Sequence, residues 1–156
     1  MISFLLTICL ILSACGSTSE GIVIVSGIAS EDPENFLNGF SFEGEDATSP
    51  GPTITVRKGE TVTITFKNEG TFENGSPAYE LHNFIIVADK DVNVSDMQPL
   101  WGAHVGGSGD PDIKYGESGS VTFIAEDAGS FFYLCNVHGH HVTGMWGRFI
   151  VEEVDE

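Results

Sequence analysis

The most constraining feature of this sequence is a short segment near the C-terminus that carries a cysteine, a histidine and a methionine between two apolar runs. The runs cover residues 131–134 and 148–151. Each has the length and the bulky apolar residues of a buried strand. The intervening residues therefore predict a short loop joining two strands, and Gly139 and Gly144 give its backbone the freedom to fold back.

The loop carries three potential metal ligands at intervals of five residues, namely Cys135, His140 and Met145. In a loop this short their side chains can converge on one point. A thiolate, an imidazole and a weak thioether together select copper in a trigonal site with a long axial bond. We therefore expect this loop to supply three of four ligands to a single copper ion.

A fourth ligand is expected from a strand predicted over residues 79–87. In that strand His82 alternates with Phe84 and Ile86, so its ring should face the core. A core-facing histidine is often only a hydrogen-bonded structural residue. Here the loop site still lacks one nitrogen, which favours His82 as a ligand, and the neighbouring Asn83 is placed to hydrogen-bond across to the loop and to the thiolate sulfur.

The rest of the chain predicts an all-β domain. Its 156 residues suffice for one domain with a real core, and 19 glycines with a hydrophobic content of 41% suit strands joined by many turns. Further strands are predicted at residues 22–28, 40–42, 53–56, 61–66 and 119–125, with long loops at 30–52 and 88–115. Seven or eight strands at this spacing, with no convincing helix, favour a Greek-key β-sandwich.

Charge excludes one class of partner. The net charge is −17, from 23 acidic and 6 basic residues, and the basic residues are scattered. A phosphate backbone would be repelled, so nucleic-acid binding is not expected. Two interpretations of the acidity stay open, a solvated surface and a surface that steers a basic redox partner.

The N-terminus has the pattern of an export leader. Residues 1–14 are uncharged and mostly apolar, and they end in a small-residue sequence before Cys15 that resembles a lipobox. This predicts a leader at 1–14, a lipid on Cys15, a tether at 15–20 and one domain at 21–156. An uncleaved N-terminal anchor is the alternative. If Cys9 leaves with the leader, Cys135 is the only free thiol in an exported chain, and a bound metal would protect it from oxidation.

Three segments give the chain a resemblance to the cupredoxins, the small blue copper proteins, over essentially all of its mature length. They are residues 50–60, similar to the opening of cupredoxin domains in multicopper oxidases, residues 81–84, and residues 135–147. The last looks most like the sulfocyanin branch. A plastocyanin-type spacing would instead make His138 the loop ligand and put Thr143 at the axial position. His140 is favoured because it alone puts Met145 at the matching distance for an axial ligand.

The resemblance implies a cupredoxin-like β-sandwich with one copper, bound by His82, Cys135 and His140 as strong ligands and by Met145 as a weak axial ligand. It implies a monomeric one-electron carrier and not an enzyme, working with redox proteins of a respiratory chain. Electrons would pass through the His140 ring edge, surrounded by apolar groups such as Val142 and Trp146. With the leader, this places the protein on the outer face of the cell membrane or in the periplasm.

Several alternatives remain at this point. The chain could belong to a copper-dependent oxidase or reductase, although Leu134 and Asn136 stand where a multicopper oxidase has histidines flanking the cysteine. It could store or deliver copper with the help of His104, His138 and His141. However, His104 is expected at the surface, and His138 and His141 are expected to be exposed loop residues or to tune the site. A zinc site with the same ligands is also chemically possible, although the thioether argues against it. Acceptor patterns for glycosylation at residues 74 and 93 are a weak signal.

Overall fold

The computed structural model describes residues 21–72, 74–78 and 80–154. Within them are nine strands and three short 3₁₀ helices. The strands are β1 (Ile22–Ser30), β2 (Leu37–Phe42), β3 (Ile54–Arg57), β4 (Thr61–Asn68), β5 (Phe84–Val87), β6 (His104–Val105), β7 (Ser118–Ile124), β8 (Gly129–Leu134) and β9 (Trp146–Glu152). The 3₁₀ helices are Val94–Asp96, Leu100–Gly102 and Val137–Thr143.

The strands form two sheets that pack face to face. The first has the order β2-β1-β4-β7 and the second the order β3-β9-β8-β5-β6. Most neighbours are antiparallel, while β1 with β4 and β3 with β9 run parallel. The chain passes repeatedly between the sheets, so consecutive strands are often not neighbours. The predicted Greek-key β-sandwich is confirmed.

Strand β4 shows how side-chain alternation builds the sandwich. Val62, Ile64 and Phe66 are fully buried between the sheets. The residues between them face outward, where the hydroxyl groups of Thr63 and Thr65 lie 2.9 Å from hydroxyl groups on β7. This is the alternation that the sequence predicts for a half-buried strand.

Four aromatic rings join the two sheets at the centre of the core. Phe40 and Phe66 come from the first sheet, and Phe84 and Tyr133 come from the second. The ring centroids of successive neighbours around this group lie 5.2–6.4 Å apart, within the range of favourable aromatic contacts. The Tyr133 hydroxyl donates a 2.6 Å hydrogen bond to the carbonyl of Pro52. The strand that leads into Cys135 is therefore fixed two residues before it.

One strand prediction and one loop prediction need correction. The strand predicted over 79–87 begins only at Phe84, and residue 79 lies outside the described residues. His82 instead forms an isolated bridge with Ile113, and the Asn83 N–H donates to the sulfur of Cys135 and not to a neighbouring strand. The loop predicted over 88–115 also contains β6 and two of the 3₁₀ helices, because elements of two or three residues are too short to show a period.

The N-terminal predictions fall outside the part of the chain that the structure describes. The leader at 1–14, the tether at 15–20, and Cys9 and Cys15 within them are not among the described residues. These features and the proposed domain limits stay predictions. Among the described residues, no helix is both long enough and apolar enough to cross a bilayer.

The close packing around Tyr133 makes residue 147 intolerant of a side chain. A Cβ at Gly147 would lie far inside van der Waals contact with the buried Tyr133 ring. We expect Gly147→Ala to lower the free energy of unfolding by about 1–3 kcal/mol through overpacking, measured by chemical denaturation. Gly21→Ala is the matched control, since the nearest atom to its Cβ would be 4.0 Å away. Equal stability of the two variants would contradict this account of the packing.

Candidate metal centre

The loop between β8 and β9 is held closed by its own backbone. The N–H of Cys135 donates a hydrogen bond to the carbonyl of Met145 over 3.1 Å. The carbonyl of Cys135 accepts a hydrogen bond from the N–H of His141 over 3.0 Å. Gly139 and Gly144 have φ values of 79° and 108°, in the left-handed region where the sequence predicts that glycine is needed. His138 also adopts this conformation, with φ of 48°. The loop therefore turns back as predicted and keeps Cys135 and Met145 in backbone contact.

Three of the four predicted ligands meet at one point. The Sγ atom of Cys135 lies 3.7 Å from Nδ1 of His82 and 3.6 Å from Nδ1 of His140. All three potential ligand atoms lie within 4.8 Å of one another. Cys135 and His82 are buried and His140 is partly buried. The convergence of a cysteine with two histidines, one of them distant in sequence, is thus present in the structure.

Met145, the predicted axial ligand, is fully buried in the main core of the sandwich. Its carbonyl accepts the N–H of Cys135, and its own N–H donates to the carbonyl of His140 over 3.0 Å. Its backbone is therefore tied to two of the three converging residues.

Burial controls the protonation of the sulfur. It raises the pKa of the Cys135 thiol to about 12, and the negative charges of Asp112 and Glu80 add to this effect. Backbone N–H groups of Asn83 and Val137 donate to the sulfur and oppose the rise in pKa, the first over 3.4 Å. The free thiol therefore keeps its proton at neutral pH, and a metal ion must displace that proton to bind the thiolate.

The two imidazole rings are neutral at the same pH. Burial, followed by repulsion from His140, lowers the pKa of His82 to about 3. Burial also lowers the pKa of His140, although the nearby Glu80 carboxylate acts in the opposite direction. Because a metal binds imidazole through an unprotonated nitrogen, both rings are ready to act as ligands.

The side chain of Asn83 ties this site together. Its Nδ2 donates to Asp112 over 2.8 Å and to the side chain of Asn136 over 2.7 Å. Its Oδ1 accepts the N–H of Asn136 over 3.0 Å. The predicted bonds from Asn83 to the loop and to the sulfur are confirmed, with the side chain reaching the loop and the backbone N–H reaching the sulfur. Asp112 was not singled out from the sequence, where it is one of many loop carboxylates.

The remaining histidines lie outside the group of three. His104 lies on the edge strand β6, with its Nδ1 3.8 Å from Asp110. It was expected at the surface, but its side chain is half-buried. His138 is exposed. His141 is buried, with 7% of its surface exposed. Of the two roles expected for it, an exposed loop residue or a residue that tunes the site, the first is therefore wrong.

Glu80 and Asn38 also belong to the surroundings of the site, and the sequence analysis missed both. The Glu80 carboxylate lies 3.7 Å from Nε2 of His140. Asn38 on β2 donates a 2.7 Å hydrogen bond to the same carboxylate. The position of Glu80, two residues before His82, was the only signal available. Nothing local to residue 38 points to this contact, because it joins β2 to the distant segment before β5.

Comparison with known proteins identifies the family. A family model described as multicopper oxidase matches residues 24–155. The chain belongs to this family of cupredoxin domains. It is 27% identical over 168 residues to Auracyanin-A from Chloroflexus aurantiacus, with 97% of this chain and 94% of that protein covered. It is 32% identical over 114 residues to rusticyanin from Acidithiobacillus ferridurans, with 72% of this chain and 55% of that protein covered.

Solved structures agree on the fold. A multi-copper oxidase from Pseudomonas thermotolerans superposes with a TM-score of 0.63 at 19% identity, over 90% of this chain and 31% of that one. This cupredoxin thus spans nearly all of Auracyanin-A, about half of rusticyanin and about a third of the oxidase chain. The finer assignment to the sulfocyanin branch stays a prediction.

The residues at the centre fit the copper that the family implies. A buried thiol flanked by two neutral imidazoles is a soft donor set that suits this metal, and the cofactor of this cupredoxin is one copper ion. Copper supplies a centre that gains and loses one electron. The chain supplies the donors, excludes water from the buried side and orients the rings.

The Asn83 clamp should be needed for stability as well as for the site. We expect Asn83→Ala to lower the free energy of unfolding of the metal-free protein by about 2–3 kcal/mol, because three partly buried hydrogen bonds are lost. Asn93→Ala is the control, since it removes only an exposed contact of 3.5 Å to Asp96. Denaturation curves measure both. A loss no larger than that of the control would show that the clamp is not a stabilising element.

Proposed function

We propose that this cupredoxin is a one-electron carrier with a type 1 copper site, bound by His82, Cys135 and His140 and by Met145 as the weak axial ligand. The observation that carries the proposal is the approach of two neutral imidazole Nδ1 atoms to within 3.6–3.7 Å of the buried Cys135 sulfur. The donor set and its burial are those of electron-transfer copper sites.

The rigidity of the surrounding residues supports a carrier. Cys135 is fixed by backbone hydrogen bonds to Met145 and His141, and His82 is fixed by a backbone bridge to Ile113. Ligand residues whose backbone is held in this way move little when the charge of a bound ion changes. A small rearrangement favours fast electron exchange, and the protein can act without binding any substrate.

Enzyme and storage functions have less support. Among residues 21–72, 74–78 and 80–154, one group of three or more possible metal-binding side chains has its ligand atoms within 4.8 Å of one another. Within this described part the chain thus offers a single copper site.

Copper loading tests the proposed function. We expect the purified protein to bind one copper per chain, to show strong visible thiolate-to-copper charge transfer and to have a reversible one-electron potential. Cys135→Ser should lose this absorption because the hydroxyl cannot replace the thiolate, while the control His104→Ala should keep it. A colourless loaded wild type would contradict the carrier. Several weakly bound ions without a reversible potential would instead support storage.

We also propose that the protein is exported and anchored by a lipid on Cys15 to the outer face of the cell membrane. The apolar residues 1–14 and the small residues before Cys15 support this location. Cys135 is the only cysteine among the described residues, and copper binding would protect it outside the cytoplasm. There it would exchange electrons with redox proteins of a respiratory chain as a monomer.

The charge distribution supports a basic partner. Because β1 and β4 run parallel, the segments after both strands lie at the end of the sandwich that holds His82 and Cys135. Among the described residues, the loops at this end carry eight carboxylates and one lysine. They are Glu31, Asp32, Glu34, Glu69, Glu80, Asp110, Asp112, Glu117 and Lys114. Of the other basic residues, Lys67 near the end of β4 is paired with Glu43, and Lys90 lies over the Trp146 ring beside the ligand loop. The carboxylates still outnumber the lysines here, so this end would attract a positively charged partner.

Small redox reagents can measure this attraction. We expect oxidation of the reduced copper protein by the cationic oxidant tris(1,10-phenanthroline)cobalt(III) to slow several-fold as ionic strength rises from about 10 mM to about 200 mM, because screening weakens the attraction. Oxidation by hexacyanoferrate(III) should accelerate over the same range. Stopped-flow absorbance gives both rates.

A pair of double variants separates local charge from net charge. The double variant Glu34→Gln with Glu69→Gln should weaken both salt effects more than Glu126→Gln with Glu152→Gln, which removes the same charge at the opposite end. Equal effects of the two double variants would argue against an acidic docking end.

A further inference from the structure

The carboxylate of Glu80 lies against the outer edge of the His140 ring. Nδ1 of His140 lies 3.6 Å from the Cys135 sulfur, whereas Nε2, on the other edge, lies 3.7 Å from Oε2 of Glu80. This second distance is within ion-pair range and longer than a direct hydrogen bond. If Nδ1 binds copper, the remaining N–H of the neutral ring is on Nε2, the atom that faces Glu80.

Two buried asparagines hold Glu80 in this place. Nδ2 of Asn38, a residue with 5% of its surface exposed, donates to Oε2 of Glu80 over 2.7 Å. Nδ2 of the fully buried Asn68 donates to the Glu80 carbonyl over 2.8 Å, and Ser26 in turn donates to Oδ1 of Asn68 over 2.9 Å. Both the backbone and the side chain of Glu80 are therefore fixed by residues of the first sheet.

The exposure of the two side chains shows what this contact does to the surface. The His140 side chain is 13% exposed, while that of Glu80 is 46% exposed. The ring edge that carries Nε2 therefore faces a carboxylate that is itself partly exposed to solvent. A fixed negative charge beside a ligand stabilises the ion of higher positive charge more than the ion of lower charge.

We propose that Glu80 is a positioning residue for the copper site, which fixes the His140 ring through Nε2 and lowers the reduction potential by stabilising the oxidised ion. This inference rests on the proposed copper ligation by His140. It assigns to the Asn38 and Asn68 contacts the role of keeping the carboxylate at the ring. In this proposal Glu80 is not a copper ligand, and it acts through its contact with His140 and through its charge.

The test compares reduction potentials of the copper-loaded full domain for wild type, Glu80→Gln and Glu126→Gln. The last variant removes one carboxylate from the turn between β7 and β8, at the opposite end of the sandwich. We expect Glu80→Gln to shift the equilibrium between oxidised and reduced copper about tenfold toward the reduced form, which corresponds to about 59 mV for one electron. Glu126→Gln should shift it by less than a third of that amount.

A second readout reports the contact directly. In the copper(I) protein, the Nε2 proton of His140 should exchange slowly with water in wild type and faster in Glu80→Gln, as followed by proton–nitrogen NMR of the histidine rings. If Glu80→Gln does not fold, Asn38→Ala decides the matter, because it keeps the charge and releases the carboxylate. A higher potential in Asn38→Ala supports the proposal, and an unchanged potential overturns it.

The outcomes separate this proposal from the carrier function. A blue, reversible wild type in which Glu80→Gln and Glu126→Gln have equal potentials overturns the role of Glu80 and leaves the carrier intact. A wild type that binds no copper with thiolate charge transfer overturns both.

Discussion

The site depends on Asn83, which acts through its backbone and its side chain at once. Its N–H donates to the Cys135 sulfur over 3.4 Å, and its side chain bonds both Asn136 and Asp112. One residue thereby connects the start of β5, the end of β8 and the loop before β7. His82 and Cys135 are 53 positions apart in the sequence. The hydrogen bonds between their neighbours, Asn83 and Asn136, keep them together.

Burial around this clamp determines which chemical species the site contains. Low polarity favours the neutral forms of the thiol and of both imidazoles. A bound cation reverses the balance for the thiol alone, because the thiolate is then compensated by the metal. Two carboxylates of the site end approach the centre, Asp112 through its bond to Asn83 and Glu80 through its contact with the ring of His140.

The sequence was most informative where a pattern repeats or a spacing is chemically specific. The alternation in β4 and the apolar run in β8 predicted the sheets, and the five-residue intervals from Cys135 through His140 predicted a site whose residues do converge. Contacts between distant segments left no such pattern. Asn38 and Glu80 are 42 positions apart on separate segments, so neither suggests the other. The burial of His141 likewise follows from how the loop folds back, which its polar neighbours do not reveal.

The sulfur receives its hydrogen bonds from the main chain, through the N–H groups of residues 83 and 137. Every amino acid except proline has such a group, so these donors survive almost any replacement at the two positions. In an evolving lineage this part of the electronic environment would pass unchanged from one descendant to the next for as long as the backbone keeps its path. A side-chain carboxylate such as that of Glu80 can be gained or lost in a single codon change. The same small domain would then act on one metal in two ways, through main-chain hydrogen bonds that are inherited with the fold and through a side-chain charge that is easily changed.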